Sequence, residues 1–176
     1  LLDRFHLDAG AKYASLSKGM KKQFELAMAL CHHPKLIILD EPTANLDPLV
    51  RRDILDLLLE MMEKEECTVF FSTHITSDLD KIADYLVFLH RGRLLLEGER
   101  EALLQARRLV KARRELYTPE VAALLVEAQV GEFGFTGMTE HPRAVYELLG
   151  QEALYETPTV EDLFLAYTRR DREVAA

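Results

Sequence analysis

Two short polar clusters follow apolar runs and contain the side chains best suited to chemistry. Asp40 and Glu41 come directly after the run LIIL, and His74 comes shortly after the run TVFFS. In an open parallel sheet, ligands gather at the carboxyl ends of the strands. Mg²⁺ keeps several waters and takes only one or two carboxylates plus phosphate oxygens, so an aspartate in the place of Asp40 is well suited to it.

The chemistry that these side chains favour is phosphoryl transfer. Glu41 could polarise a water molecule for in-line attack, and His74 could bond a γ-phosphate oxygen or position that water. Each residue alone has a simpler interpretation. An acidic pair before a proline commonly caps a turn, and a single histidine is most often a hydrogen-bonded polar residue. The combination with other motifs therefore decides between the two interpretations.

Helix and strand signals alternate through the first half of the chain. Apolar periodicity predicts a helix from Lys18 to His32, with Ser17 as N-cap and Pro34 at its end. The run LIIL between two prolines is typical of a strand covered on both faces in a parallel sheet. Asp47 is expected to cap a second helix with Pro48 at its first position. TVFFS is expected to form a second buried strand.

The second half of the chain gives weaker signals. A short helix is predicted near 77–84, and YLVFLH and LLLEG are predicted to be strands around a glycine-containing turn. Residues 99–116 are predicted to form an arginine-rich helix, and GEFGFTG a turn or irregular loop. A terminal helix over 157–170 is expected to be capped by Thr159. The alternation predicts an α/β fold with a mostly parallel sheet.

Four motifs occur in a fixed order, namely LSKGM, LIILDEP, ANLD and STH. This ordered set resembles the ATP-binding cassette (ABC) ATPase family over residues 1–98. LSKGM is similar to the family's signature LSGGQ, with Leu16, Ser17 and Gly19 matching and Lys18 and Met20 departing from it. The resemblance implies a P-loop NTPase-like sheet flanked by helices, with 99–176 as an accessory, mixed α/β C-terminal region.

The resemblance also implies roles for individual residues. Asp40 would be the magnesium-side carboxylate, Glu41 the general base, Asp47 part of the D-loop and His74 the switch histidine. In this family two ATPase domains pair head to tail, and the signature of one caps the ATP held by the other. The signature contacts would come from the helix start, whose N–H groups suit phosphate. The signature residues that would make these contacts are Ser17, Lys18, Gly19 and Met20. The cofactors that the resemblance implies are ATP and Mg²⁺.

One family feature is absent from the printed sequence. The 176 residues contain no G-x-x-x-x-G-K-[ST] phosphate loop, whose backbone and lysine hold the nucleotide phosphates. The opening LLDRFHLD also resembles the end of a helix. We therefore expect the chain to be the C-terminal part of a cassette ATPase that does not hydrolyse ATP alone.

Composition limits the partners. The formal charge of −8 and the pI near 5.3 disfavour nucleic acid as a partner. Cys31 and Cys67 lie in apolar settings, which predicts reduced, buried thiols. No apolar run approaches the length of a membrane span. The terminal TPTVEDLFLAY is similar to the ends of many export cassettes. The expected location is cytoplasmic, peripheral at the membrane through a permease partner.

Three functions are compatible with these features. The first is an ABC transporter ATPase, with an export system as the expected type, in a homo- or heterodimer with a second ATPase subunit and bound to a transmembrane permease. The second is a non-transport cassette ATPase that acts in DNA repair or translation. The third is a truncated, non-catalytic module that lends its signature to a partner's ATP site.

Overall fold

The first half of the chain forms the helices and strands that the motifs require. The structure, a computed structural model, describes residues 2–5, 7–65 and 67–174. They belong to two compact units that divide after Ile82. The elements of the first unit are α1 (Lys18–Leu30), β1 (Leu36–Asp40), α2 (Pro48–Glu65), β2 (Thr68–Ser72) and α3 (Thr76–Ile82).

Both predicted N-caps of the first unit are confirmed. The Ser17 hydroxyl accepts the backbone N–H of Met20 at 3.2 Å and begins α1. Asp47 Oδ1 accepts the N–H groups of Leu49 and Val50 at 3.1 Å each, and Pro48 is the first residue of α2. These bonds satisfy N–H groups that a helix leaves without internal partners. The start of each helix is therefore fixed by its own local sequence.

Strands β1 and β2 pair in parallel. Leu36 lies opposite Thr68, and the register continues until Asp40 lies opposite Ser72. The carboxyl ends of the two strands therefore meet at one edge. Both polar clusters that the sequence indicates lie at this edge.

The prediction that LIIL is covered on both faces is wrong for the part of the chain that the structure describes. Ile37 is 6% exposed, whereas Leu36 is 55% and Ile38 is 70% exposed. Phe70 on β2 is also 61% exposed. The reason is that the core of this unit, built around Leu58 and other apolar residues of α1 and α2, lies against one face of the sheet.

The second unit begins with a hairpin and continues into a larger sheet. Its strands are β3 (Tyr85–His90), β4 (Arg93–Glu99), β5 (Arg108–Arg113), β6 (Leu125–Val130), β7 (Gly134–Thr139) and β8 (Leu154–Glu156). Its α-helices are α4 (Arg100–Gln105), α5 (Pro119–Ala122), α6 (Pro142–Leu149) and α7 (Val160–Val174). The predicted hairpin turn is present, with Arg91 and Gly92 both at positive φ, as a tight two-residue turn requires.

The division between the units differs in position from the one predicted near residue 98. The hairpin β3–β4 belongs to the second unit because its contacts are there. The backbone N–H of Arg100 donates to the Asp84 carbonyl and its Nε to the Ala83 carbonyl, both at 2.8 Å. The ring of Phe88 also packs edge-on against Phe164 of α7, with 5.6 Å between centroids.

Strands β5 to β8 form an antiparallel sheet in the order β6-β7-β5-β8. With α5 and α6, the connectivity is β-α-β-β-α-β, the ferredoxin-like arrangement. One prediction is wrong here and another is right in part. The helix expected over 99–116 ends at Gln105 and is followed by β5. In the GEFGFTG segment, 131–133 form the predicted turn, whereas β7 begins at Gly134. Pairing of β5 with both β7 and β8 outweighs the local helix preference of this segment.

Two basic side chains of this region form ion pairs within the unit. Lys111 bonds Glu156 at 2.6 Å, and Arg113 bonds Glu152 at 2.9 Å. The structure therefore replaces the predicted basic helix face with ion pairs along a strand.

Arg107 lies deeper, at 8% exposure. It donates to Glu140 Oε1 at 2.6 Å and to the Tyr167 hydroxyl at 2.7 Å. Burial and the hydrogen bond to Glu140 raise the pKa of Tyr167 to about 12. Each polar group of this buried cluster is therefore bonded to another.

The terminal helix α7 has the predicted cap. Thr159 Oγ1 accepts the Asp162 N–H at 3.2 Å, and Asp162 Oδ2 accepts the Thr159 N–H at 2.8 Å. The prediction for the thiols holds for Cys67, which is buried, and is wrong for Cys31, which is exposed. Among the described residues, no helix is long and apolar enough to cross a membrane.

Candidate functional site

The tips of β1 and β2 hold three of the predicted site residues together. The Ser72 hydroxyl donates to Asp40 Oδ1, and the Glu41 N–H donates to the Ser72 carbonyl at 3.0 Å. Asp40 is exposed and Glu41 is partly buried. Ser72 is thus the link between the acidic pair and the strand that leads to His74.

Glu41 and His74 form a direct pair. Glu41 Oε1 lies 2.8 Å from His74 Nδ1 and accepts the His74 backbone N–H at 3.1 Å. An ionised carboxylate only accepts hydrogen bonds, so this contact places a hydrogen on Nδ1. In the neutral ring, Nε2 is then an acceptor, and the side chain is 72% exposed. The free nitrogen can therefore reach a ligand at the sheet edge.

Glu41 has two unusual features. Its φ of 46° lies in the left-handed region, which few residues with a side chain adopt and which costs of the order of 1–3 kcal/mol. Its Oε2 is buried and has no hydrogen-bond partner among the described residues. Buried polar atoms are nearly always paired. A strained carboxylate with one fixed and one unpaired oxygen is suited to accept a proton from water.

The start of α1 presents backbone N–H groups and a charged side chain. Ser17 and Lys18 are exposed, and the first turn of a helix attracts anions. A Cβ built on Gly19 would lie 3.6 Å from Val50 and 3.9 Å from Leu46, which is ordinary van der Waals contact. The described fold therefore does not require glycine at this position, and glycine leaves the backbone open to a ligand.

The remaining predicted residues have structural partners. The side chain of Met20 packs against the core, and its N–H is bonded to Ser17. Asp47 uses its carboxylate to cap α2. The structure therefore brings the predicted residues together in two groups, the strand tips and the start of α1 beside the Asp47 turn.

Asp40 is the predicted metal ligand. Within the described ranges there is no group of three or more His, Cys, Asp or Glu side chains that could hold a metal ion. Mg²⁺ needs only one or two protein carboxylates when phosphate oxygens and waters complete its shell. A single exposed carboxylate at the strand tip fits that requirement.

Sequence reasoning missed four residues around these groups. Ser72 bonds Asp40, and a second cluster joins Thr43, Arg51 and Asp78. The serine has a visible signal, since it ends the strand that precedes His74. The other three lie far apart in the sequence, and no local pattern connects them.

The chain is similar to several curated proteins. The "Nod factor export ATP-binding protein I" of Rhizobium johnstonii is 33% identical over 181 residues, covering 97% of this chain and 58% of that protein. The "Bacitracin transport ATP-binding protein BcrA" of Bacillus licheniformis is 40% identical over 81 residues, covering 46% of this chain and 26% of that protein. A family model described as "AAA domain, putative AbiEii toxin, Type IV TA system" matches residues 5–79.

Solved structures agree with these relatives. An ATP-binding subunit of an ABC transporter aligns with a TM-score of 0.51 and 31% identity, over 59% of this chain and 44% of that one. A dimeric ATP-binding cassette in a post-hydrolysis state, bound to ADP and Pi, aligns with a TM-score of 0.51 and 28% identity, over 56% and 43%. The chain belongs to the ABC ATPase family.

Membership confirms the predicted fold class. The cassette has the P-loop NTPase-like α/β fold of its structural neighbours over the aligned part. The chain spans little more than half the length of the first curated relatives, 58% in each case. The roles of individual residues in nucleotide binding and hydrolysis stay predictions.

Proposed function

We propose that this cassette forms part of the ATP-hydrolysing subunit of an ABC transporter, with Glu41 as general base. The observation that carries the proposal is the Glu41–His74 pair, in which Oε1 is held and the buried Oε2 is unpaired. Phosphoryl transfer depends mainly on positioning and electrostatic stabilisation. The pair supplies a positioned base at the sheet edge where ligands of α/β proteins bind.

Each residue of the strand tips has a distinct task in hydrolysis. Asp40 would hold Mg²⁺, which would neutralise charge on the phosphate oxygens. Glu41 would accept a proton from the attacking water, while Oε1 remains bonded to His74. His74 Nε2, when protonated, donates to a γ-phosphate oxygen, and Ser72 keeps the Asp40 carboxylate in place.

The start of α1 serves the second ATP site of a cassette dimer. The hydroxyl of Ser17, the ammonium group of Lys18 and the N–H of Gly19 would contact the γ-phosphate of ATP held by the partner subunit. The N–H of Met20 is used in the Ser17 cap, so Met20 would serve by keeping Ser17 in place, and the Asp47 turn lies beside Gly19. Because the printed sequence contains no phosphate loop, these 176 residues alone are expected not to hydrolyse ATP.

The partners are a second ATPase subunit and a transmembrane permease. The relative named for Nod factor export supports an export system, and the relative named for bacitracin transport supports a transporter. The net charge of −8 disfavours nucleic acid as a partner. The cassette would then lie at the cytoplasmic face of the membrane, bound through the permease.

The test is Glu41→Gln in the polypeptide encoded by the complete gene. General-base loss is expected to lower ATP turnover about 10²- to 10⁴-fold, while ATP binding and ATP-dependent dimerisation persist. The matched control is Glu63→Gln, because Glu63 is an exposed glutamate on α2, and it should retain full turnover. Undiminished turnover in Glu41→Gln would remove the proposed base.

A further inference from the structure

A fully buried carboxylate lies behind the candidate site. Asp78, in the first turn of α3, is 0% exposed, and both of its oxygens are bonded. Oδ2 accepts the hydroxyl of Thr43 at 2.6 Å. Oδ1 accepts Arg51 Nε at 2.7 Å and lies 2.6 Å from Nη2 of the same guanidinium. A buried charge with this many charge-assisted bonds fixes the positions of its partners.

Thr43, Arg51 and Asp78 each lie a few residues after a different motif residue. Thr43 follows Glu41 by two residues, Arg51 follows Asp47 by four, and Asp78 follows His74 by four. Arg51 Nη2 also donates to the hydroxyl of Ser77 at 2.7 Å, which adds a second bond to α3. One carboxylate therefore connects the turn after β1, the start of α2 and the start of α3.

The hydrogen bond between Asp78 and Thr43 holds the turn in which Glu41 adopts its positive φ. The Ala44 N–H donates to the Glu41 carbonyl at 3.4 Å, so Thr43 lies inside the turn that begins at Glu41. Thr43 is 1% exposed, and its hydroxyl is bonded to Asp78. A residue at positive φ persists only where the surrounding structure holds it there.

We propose that Asp78 is a positioning residue that holds Glu41 against His74. Its bond to Thr43 joins the turn at Glu41 to α3, the helix that follows His74. Its bonds to Arg51 join α3 to α2, the helix that Asp47 caps. Asp78 itself touches neither of the paired side chains. The catalytic consequence rests on the proposed role of Glu41, whereas the geometric claim does not.

The geometric claim is tested on the 176-residue chain without nucleotide. The ring ¹⁵N–¹H signals of His74 are recorded by NMR and assigned by their loss in His74→Gln. Asp78→Asn and Thr43→Val should shift these signals in the same direction as Glu41→Gln, because each weakens the bond to Nδ1. The matched controls Arg52→Gln and Asp53→Asn alter exposed residues of α2 and should leave the ring signals in place.

Thr43→Val keeps the claim testable if Asp78→Asn does not fold. Valine has nearly the shape of threonine and removes only the hydroxyl, so Arg51 keeps its bonds to Asp78. Arg51→Lys should produce a smaller shift than Arg51→Gln, since lysine keeps the charge but not the planar fork. Folded Asp78→Asn or Thr43→Val chains with unchanged His74 signals would overturn the proposal.

The catalytic consequence is measured in the polypeptide of the complete gene. A misplacement of about 1 Å can cost about 10²-fold in rate, so Asp78→Asn should lower kcat about 10- to 100-fold. The KM for ATP should change less than about threefold, because Asp78 touches no ligand. Loss of turnover without a shift of the His74 signals would overturn the proposal. Full turnover in Glu41→Gln would refute the role of Glu41 as general base. Shifted His74 ring signals in Asp78→Asn would still support the positioning role of Asp78.

Discussion

Each unit of the chain contains a cluster of polar residues, and the two clusters differ in how completely they are hydrogen-bonded. In the first unit, the strand tips carry a strained Glu41 with an unpaired buried oxygen. In the second unit, the buried Arg107 bonds both Glu140 and Tyr167. Both units leave apolar side chains exposed, such as Ile38 at 70% and Leu89 at 66%. The contrast therefore lies between the two clusters: the strand tips keep a carboxylate oxygen unpaired, whereas the polar groups around Arg107 bond one another.

Ligand binding at the strand tips explains the difference in hydrogen bonding between the two clusters. A site that binds a charged ligand needs polar groups whose bonds are incomplete before binding, and such groups cost stability. The cluster around Arg107 has no ligand to accommodate in this proposal, and its polar groups bond one another. The contrast is therefore open to direct measurement through matched substitutions in the two units.

The largest expected effects come from core truncation. Leu58 of α2 and Leu163 of α7 are both 0% exposed, and Leu→Ala in such sites costs about 2–5 kcal/mol. Leu58→Ala should fall nearer the lower end, because the β1–β2 sheet beside α2 has one uncovered face and can relax into the cavity. Urea unfolding gives the loss, and hydrogen exchange measured by peptide locates it.

The exposed Leu49, at 63%, supplies the control for this pair. Leu49→Ala should change the free energy of unfolding by less than about 0.5 kcal/mol. A larger loss for Leu58→Ala than for Leu163→Ala would contradict the expected relaxation around Leu58.

Local signals in the sequence predicted the first unit well. The caps at Ser17 and Asp47 and the polar residues after LIIL are short-range features, and each is where the sequence placed it. The cluster around Asp78 was not predictable in this way. Its members come from three segments that only the folded chain brings together.

The second unit was harder to predict because its determinants are not local. Arginine favours helices, so the segment 99–116 was expected to be helical, but Val110 is buried as one residue of a central strand. Gly134 and Gly137 were interpreted as loop residues. They lie on β7 at positions where only glycine fits, because a side chain would strike neighbouring strands. A Cβ at position 134 would lie only 2.6 Å from the Ala112 carbonyl oxygen.

The glycines of the two units should therefore respond differently to alanine. A Cβ at Gly137 would lie 2.7 Å from Leu125 Cδ1 and 3.0 Å from the Glu127 carbonyl, so Gly137→Ala should cost about 1–3 kcal/mol. Gly19→Ala meets only ordinary contacts and should be neutral or stabilise by up to about 1 kcal/mol. Thermal unfolding of the two variants measures this contrast.

ATP-dependent dimerisation should also distinguish Gly19→Ala from Gly137→Ala. In the polypeptide of the complete gene, Gly19→Ala should weaken ATP-dependent dimerisation, because its methyl group would stand where phosphate approaches the helix start. Equal destabilisation by Gly19→Ala and Gly137→Ala would show that the fold itself needs both glycines, and the proposed role of Gly19 would lose its support.

The smallest expected effects are at the helix caps. Replacing a capping Ser or Thr by Ala costs about 0.5–2 kcal/mol. Thr159→Ala should lie in the upper half of this range, because Thr159 and Asp162 bond each other reciprocally, whereas Ser17 makes a single capping bond. Thr157→Ala, at an exposed position before α7, is the control. If Ser17→Ala costs more than Thr159→Ala, the hydroxyl of Ser17 stabilises the fold more than its single bond explains. Its availability for phosphate would then be reduced.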